Sequence, residues 1–394
     1  MRLALTPDQV ALRDELRAFL DMNLPPDHEE GPESAEWAPE AEYAWVHDFN
    51  RRLGAAGWLV PHWPVEYGGR GLGIIEQVVV REELAYRRAP LINPNGLNML
   101  GPILMREGTD EQKARHLPGI ASADVIWAQG YSEPNAGSDL AALQMRAERN
   151  GDHYVLNGQK TWTSCGMRAD WMFLLARTSK ETRRQDGISF LLVDMRTPGI
   201  EIRPIASMTG TVTFAEEFFT DVRVPVENRV GAEGDGWRVG KALLTFERSN
   251  IARAARERRI LDDLIAYCRS LVGTDRDPLE DPVARLELGR MIERVEVGRA
   301  ICYRLASMQA EGRVSPEMPS ISKLYHSEFA AELVDVGSRL LGEYGNVMPG
   351  DAHCPARGQF SLGVMKQLLH KIGAGTSEIQ RDLIARTGAK LPRA

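Results

Sequence analysis

The stretch WAQGYSEPNAGSD, Trp127 to Asp139, lies where the chain changes character. Before it the pattern is helical. Thr6-Pro7-Asp8-Gln9 reads as a helix start, with Thr6 capping, Pro7 in the first turn and Gln9 closing the box. Val10, Leu16, Phe19 and Leu20 mark the apolar face, and Pro25-Pro26 stops the helix. Residues 27–40 are acidic and proline-bearing and read as a surface excursion; further helices are expected around 41–56, 75–87 and 110–117. After the stretch the period becomes two. Leu143 to Glu148 alternates, Asn150-Gly151 signals a hairpin turn, and His153 to Leu156 alternates again. Met172–Ala176, Ile188–Asp194 and Phe214–Val224 add strands, separated by Asp186-Gly187 and Pro198-Gly199. Many short strands without intervening helices suggest a small sandwich or barrel and argue against a Rossmann sheet. From about Gly236 helical spacing returns. Val283, Leu286, Met291, Val295, Ile301, Leu305 and Met308 recur at helical intervals, then Ile321, Leu324, Val336 and Leu340, which predicts a bundle. The chain therefore reads as α+β in three segments: 1–124 helical, 125–230 antiparallel β, 231–394 a helical bundle.

Composition narrows the function. A chain of 394 residues exceeds one ordinary core. Its net charge of -7 argues against a nucleic-acid surface. Cys165, Cys268, Cys302 and Cys354 are widely spaced, without metal-ligand pairing, which predicts reduced thiols, no metal and a cytoplasmic setting. No apolar run is long enough to span a bilayer, so no membrane partner is expected. The glycine-rich YGGRGLG, Tyr67 to Gly73, has the wrong spacing for a dinucleotide loop. Pro61 and Pro64 stand where its strand would be, so a structural turn is expected.

Taken residue by residue, the loop from Tyr131 to Asp139 offers backbone that can approach a ligand, and the hydroxyls of Ser132 and Ser138. Farther on, GQKTWTS, Gly158 to Ser164, presents the flat face of Trp162, and GTSEIQR, Gly375 to Arg381, closes the chain. These three segments, with Trp58 to Gly69 and DVRVP from Asp221 to Pro225, resemble the acyl-CoA dehydrogenase family over nearly the whole chain. The resemblance implies an N-terminal helical domain, a middle antiparallel β domain and a C-terminal four-helix bundle, the last two clasping FAD. It implies that Gln129, Tyr131 and Ser132 line the flavin, that Trp162 packs on its ring and that Ser164 approaches the ring nitrogen that accepts hydride. Thr376 and Glu378 approach from the last loop, and Ser138 falls where the family contacts CoA.

The same resemblance locates the base. Many relatives carry a glutamate immediately before the Gly-Thr of the last motif; here that residue is Ala374. A minority, including isovaleryl- and long-chain-type enzymes, use a glutamate followed by arginine on an early helix of the bundle. LTFER, Leu244 to Arg248, matches, making Glu247 the expected base and Arg248 a substrate contact. The backbone N–H of Ala374 can still hold the thioester carbonyl. The expected reaction is α,β-dehydrogenation of an acyl-CoA to the trans-2-enoyl-CoA, a CH–CH oxidation, with electron-transferring flavoprotein as acceptor.

One part of the family pattern is missing. The element that reaches a partner's FAD pyrophosphate should fall at Arg269 to Pro278, but its Phe-Gly is absent; Arg339 replaces a glutamine ahead of Gly342. Arg339 or Arg269 can supply a guanidinium for a diphosphate, with Gly342 in the adjoining loop. Alternatively, another polypeptide completes the site. The assembly is thus a homotetramer or homodimer, or an alpha-two beta-two heterotetramer like those of actinobacterial steroid-degrading relatives. Two other activities stay open: a non-catalytic subunit lending FAD contacts, and a flavin oxidase or monooxygenase on the same fold.

Overall fold

The computed structural model describes residues 4–25, 28, 40–181, 183–248, 252–313 and 315–392, apart from the side chains of 40, 41 and 244–248. Most of the 27–40 excursion, and the side chains of Glu247 and Arg248, thus lie outside the described residues. The chain divides into two compact units. One comprises 34–71 and 90–247; the other comprises 1–33, 72–89 and 248–394.

Helices open the chain: α1 (Pro7–Asn23), α2 (Glu40–Ala55), α3 (Ile74–Tyr86), α4 (Gly101–Glu107) and α5 (Asp110–Ala121). Thr6 caps α1 in the expected box, its hydroxyl accepting from the N–H of Gln9. The YGGRGLG segment is a turn: Gly68 is left-handed at φ 86°, and the N–H of Gly71 donates to the carbonyl of Trp63 at 2.9 Å. Backbone of Trp63 stands where a side chain on Gly69 would go, which explains that glycine without any ligand.

Among the described residues eight strands follow: β1 (Trp127–Gly130), β2 (Arg146–Asn150), β3 (His153–Ser164), β4 (Trp171–Arg177), β5 (Ile188–Asp194), β6 (Ile200–Ala206), β7 (Val212–Pro225) and β8 (Arg229–Val230). They form one sheet in the order β6-β7-β3-β2-β4-β5-β8, with β1 beside β4. Most pairings are antiparallel, while β1–β4 and the single β2–β4 contact are parallel. The hairpin turn falls one residue later than Asn150-Gly151 suggests. Asn150 pairs with His153, and Gly151, at φ 63°, takes the bend with Asp152. His153–Leu156 and the GQKTWTS motif prove to be one strand of 12 residues. Its two interruptions are bulges against β7, between Leu156 and Gly158 and between Lys160 and Thr163. Met172, Leu174, Leu191, Val193 and Phe219 pack the core of this sheet. The neutral ring of His116 fixes the entry to β1, edge-on to both Trp127 and Trp171; burial pushes its pKa down to about 4.

Helix α6 (Gly236–Arg248) ends the strand-bearing unit, which includes residues up to 247. The other unit holds α7 (Arg253–Ser270), α8 (Pro282–Ala310), α9 (Met318–Leu340) and α10 (Gln359–Ile372), then the short α11 (Ser377–Leu383). Leu264, Leu288, Met291, Val295, Phe329, Leu333 and Phe360 form their common core. Val283 and Leu286 do not join it, being 58% and 55% exposed. The apolar residues of the 29-residue α8 fall on two stripes, and only the one through Ala284, Leu288, Met291 and Val295 is buried.

Three bundle helices share a polar contact that composition does not announce. His326 of α9 meets Glu257 of α7 through Nδ1 (2.8 Å) and the Cys302 thiol of α8 through Nε2 (3.3 Å), all three buried. Gly298 leaves room for the ring, since a Cβ there would stand 2.8 Å from its Cε1. Burial opposes the imidazolium, but Glu257 and Cys302 favour it and raise His326 to about 9. A folded pKa above the unfolded value near 6.5 means stability fully present below about 6.5 and lost as pH rises through about 9. We expect the denaturation midpoint to fall across that window and H326Q to flatten the fall. Equal pH profiles for the two proteins in urea titrations would show that the pair is not the cause.

Candidate active site

Strand β3 carries the site's most unusual residue. Trp162 sits inside the second bulge at φ 62°, with 61% of its surface exposed. Left-handed backbone costs a residue with a Cβ about 1–2 kcal/mol, and a large exposed aromatic adds unburied apolar surface. Phe214 of β7 supports the ring edge-on at 6.0 Å and leaves a face open. Without the bulge, strict alternation would assign residue 162 to the opposite face of the sheet. Ser164 is the last residue of the strand, half-buried and paired with Phe214.

The first loop is fastened to this strand. The N–H of Thr161 donates to the carbonyl of Ser132 at 3.0 Å, and Lys160 donates to the carbonyl of Tyr131 at 3.3 Å. Lys160, with no exposed surface, also pairs with Glu133 at 2.8 Å. Burial pushes the Lys160 pKa down while Glu133 opposes the shift. The Glu133 carboxylate accepts from the N–H groups of Gln144 (2.6 Å) and Met145 (3.0 Å), so it closes the loop at both ends. Gln129, on β1, has a buried Nε2 without a hydrogen-bond partner among the described residues. Ser138 is exposed at the loop tip. Lys160 and Glu133 escaped notice in the sequence although both lie inside the quoted motifs. Lys160 interrupts an otherwise β-like run, and that was the available signal.

Helix α6 approaches the same loop. A Cβ on Gly240 would stand 3.2 Å from the Tyr131 hydroxyl, so the helix backbone comes in close there. Position 247 follows seven residues later, nearly two turns on, and therefore on the same helix face about 10 Å farther along the axis.

The remaining expected residues belong to the other unit. Arg339 is exposed and already pairs with Glu287 (3.0 Å) and Asp335 (3.3 Å); Gly342 turns the chain at φ 58°. Arg269 is exposed at the end of α7. Ala374 is left-handed at φ 55°, and its N–H makes no backbone hydrogen bond among the described residues. Gln380 holds this turn by donating to the carbonyls of Ala374 and Gly375. Thr376 caps α11, its hydroxyl accepting from the N–H of Ile379 at 3.3 Å. Its own backbone N–H and the Thr376 hydroxyl hold the exposed Glu378 carboxyl below the usual range.

Comparison with known proteins decides what this arrangement belongs to. The acyl-CoA dehydrogenase N-terminal, middle and C-terminal domain families match residues 6–124, 128–222 and 234–389. The chain belongs to the acyl-CoA dehydrogenase family. It is 40% identical over 369 residues to acyl-CoA dehydrogenase IpdE1 of Mycobacterium tuberculosis, covering 92% of this chain and 91% of that protein. Among solved structures it resembles the Tcur3481-Tcur3483 steroid ACAD, with TM-score 0.89 and 32% identity over all of both chains. It also resembles the ChsE4-ChsE5 complex from Mycobacterium tuberculosis, with TM-score 0.88 and 34% identity over all of both chains. This acyl-CoA dehydrogenase has the family's helical N-terminal, sheet middle and helical C-terminal segments, and it is an oxidoreductase acting on acyl-CoA. Among the described residues no helix is long and apolar enough to cross a membrane.

Proposed function

We propose that this chain is an FAD-dependent dehydrogenase that converts an acyl-CoA thioester to the trans-2-enoyl-CoA, with Glu247 as the base. The observation that carries the reading is Trp162. A strained, outward aromatic fits a chain that keeps a flat apolar wall for a planar ring. The orphaned amide of Gln129 fits a polar ring edge in the same way.

In this reading Gln129, Tyr131, Ser132, Trp162 and Ser164 hold the isoalloxazine, with Thr376 and Glu378 contributing from the last loop. Bound FAD supplies the two-electron oxidation of the Cα–Cβ bond. Glu247 takes the α proton from a carbon acidified by hydrogen bonding to the thioester oxygen. The N–H of Ala374 serves as that donor, a role the loss of a side chain does not remove. Ser138 and Arg248 hold the CoA arm. Trp162 and its loop exclude water from the reacting carbon. Segments 1–124, 125–230 and 231–394 divide the work as the family does, and electron-transferring flavoprotein accepts the electrons in the cytoplasm.

A second reading concerns assembly. Arg339 is engaged by Glu287 and Asp335 of its own chain, which favours a partner polypeptide supplying the diphosphate contact in an alpha-two beta-two heterotetramer. The names of the relatives above favour a bulky, ring-bearing acyl group. Both are tested together. The chain is purified alone and its flavin per chain measured, then mixed anaerobically with thioesters from short linear to steroid side-chain types. Full flavin in a homo-oligomer removes the partner. Bound flavin that no thioester bleaches removes the dehydrogenase, and hydrogen peroxide released on turnover without an acceptor makes it an oxidase.

A further inference from the structure

Glu217 of β7 has no exposed surface and no part in the chemistry above. It stands across from Lys160 on β3 and from Ile202 on β6. The hydroxyl of Thr163 donates to its Oε2 at 2.7 Å. Its Oε1 is buried against Gly166 and has no hydrogen-bond partner among the described residues. Thr163 lies between Trp162 and Ser164, so this bond is made at the bulge itself.

The charges around Glu217 do not balance if every group is ionised. Lys160 is the cation facing it, and that ammonium is hydrogen-bonded to Glu133 at 2.8 Å. Neighbouring Glu216 adds negative charge and is itself bound by Gln159 at 2.9 Å. From β6 it meets Ile202, and from the turn after β3 it meets Gly166, neither of them titratable. One cation therefore serves two buried acids, and Glu217 is the one left over. Burial pushes its carboxyl up to about 8; Glu216 reinforces this, while Thr163 and Lys160 act against it. A buried carboxyl with an unpartnered oxygen is costly, and such groups persist where they serve a function.

We propose that Glu217 is a positioning residue for the flavin-facing end of β3: it holds the bulge through Thr163 and sets a titratable charge one residue from both Trp162 and Ser164. The inference rests on reading those two side chains as flavin contacts. Reduction adds negative charge to the ring. An ionised Glu217 opposes that charge, so reduction favours the neutral acid and draws a proton onto it. Between the oxidised- and reduced-state values the midpoint potential then falls with pH by one extra proton's slope.

Two measurements test this. Infrared spectra of wild type minus E217Q, taken without regard to flavin, should show a protonated-carboxyl band at neutral pH that fades above about 8. In flavin-loaded protein, the midpoint potential of the wild type should steepen with pH above that value. E217Q should keep its flavin and lose the break, and T163V should shift the break. Absence of the infrared band overturns the inference even if E217Q folds poorly, because the wild type alone can be titrated. An unchanged break in flavin-loaded E217Q overturns it as well. A wild type that takes up no flavin under any condition removes the flavin reading and the electrostatic role with it, while the band still reports the proton on Glu217.

Discussion

E247Q is expected to lose substrate-driven flavin bleaching by about 10²–10⁴-fold while binding flavin and thioester as before. Glutamine keeps the shape of the side chain and removes its basicity, so a lost rate with unchanged binding isolates proton abstraction from packing. The backbone supports the choice of residue. Position 247 lies on the face of α6 that carries Gly240, whose backbone approaches the Tyr131 hydroxyl. Ala374 offers an N–H and no base. Single-turnover reduction followed at the flavin absorbance is the measurement. Near-normal bleaching by E247Q would move the base elsewhere. Where E247Q does lose bleaching, recovered activity in A374E/E247Q shows that the family's other base position is still usable in this site.

K160M should be the most damaging change in the sheet. It leaves the Glu133 carboxylate buried without its cation, an error that costs about 3–5 kcal/mol when one partner of a buried pair is removed. The same change removes the donor to the carbonyl of Tyr131 along with the bond to Glu133, leaving the Thr161 N–H to Ser132 carbonyl bond to fasten the first loop to β3 among the bonds described above. Urea unfolding should therefore shift strongly and flavin content fall with it. K160M/E133Q should recover much of the stability, because the uncompensated charge is gone, but not the flavin, because the loop loses its tie. Equal loss in the single and double variants would mean that the pair contributes packing and not charge compensation.

Much of this was legible in the sequence, for identifiable reasons. The change of period near Trp127 separated helix from strand because side-chain direction repeats at 3.6 residues in one and 2 in the other. Capping at Thr6 and the turn at Tyr67–Gly73 followed from local chemistry that needs no distant partner. Local pattern failed where faces had to be chosen. Val283 and Leu286 keep helical spacing yet stay exposed, since spacing counts apolar residues and does not say which stripe another helix covers. The site followed the same division. Motif residues Gln129, Trp162 and Ser164 stood out, whereas Lys160, Glu133 and Glu217 went unremarked.

The sequence by itself determined the order of helical and strand segments, the turns between them and the family to which the chain belongs. Each depends on neighbours within a few residues or on motifs read in line. Only the tertiary structure decided that three ionisable side chains meet beneath one bulge, that Trp162 faces outward, and that His326 links three helices. These arise from side chains 24 to 69 residues apart brought within hydrogen-bond reach, and the free energy of a buried charge depends on which partners surround it in space.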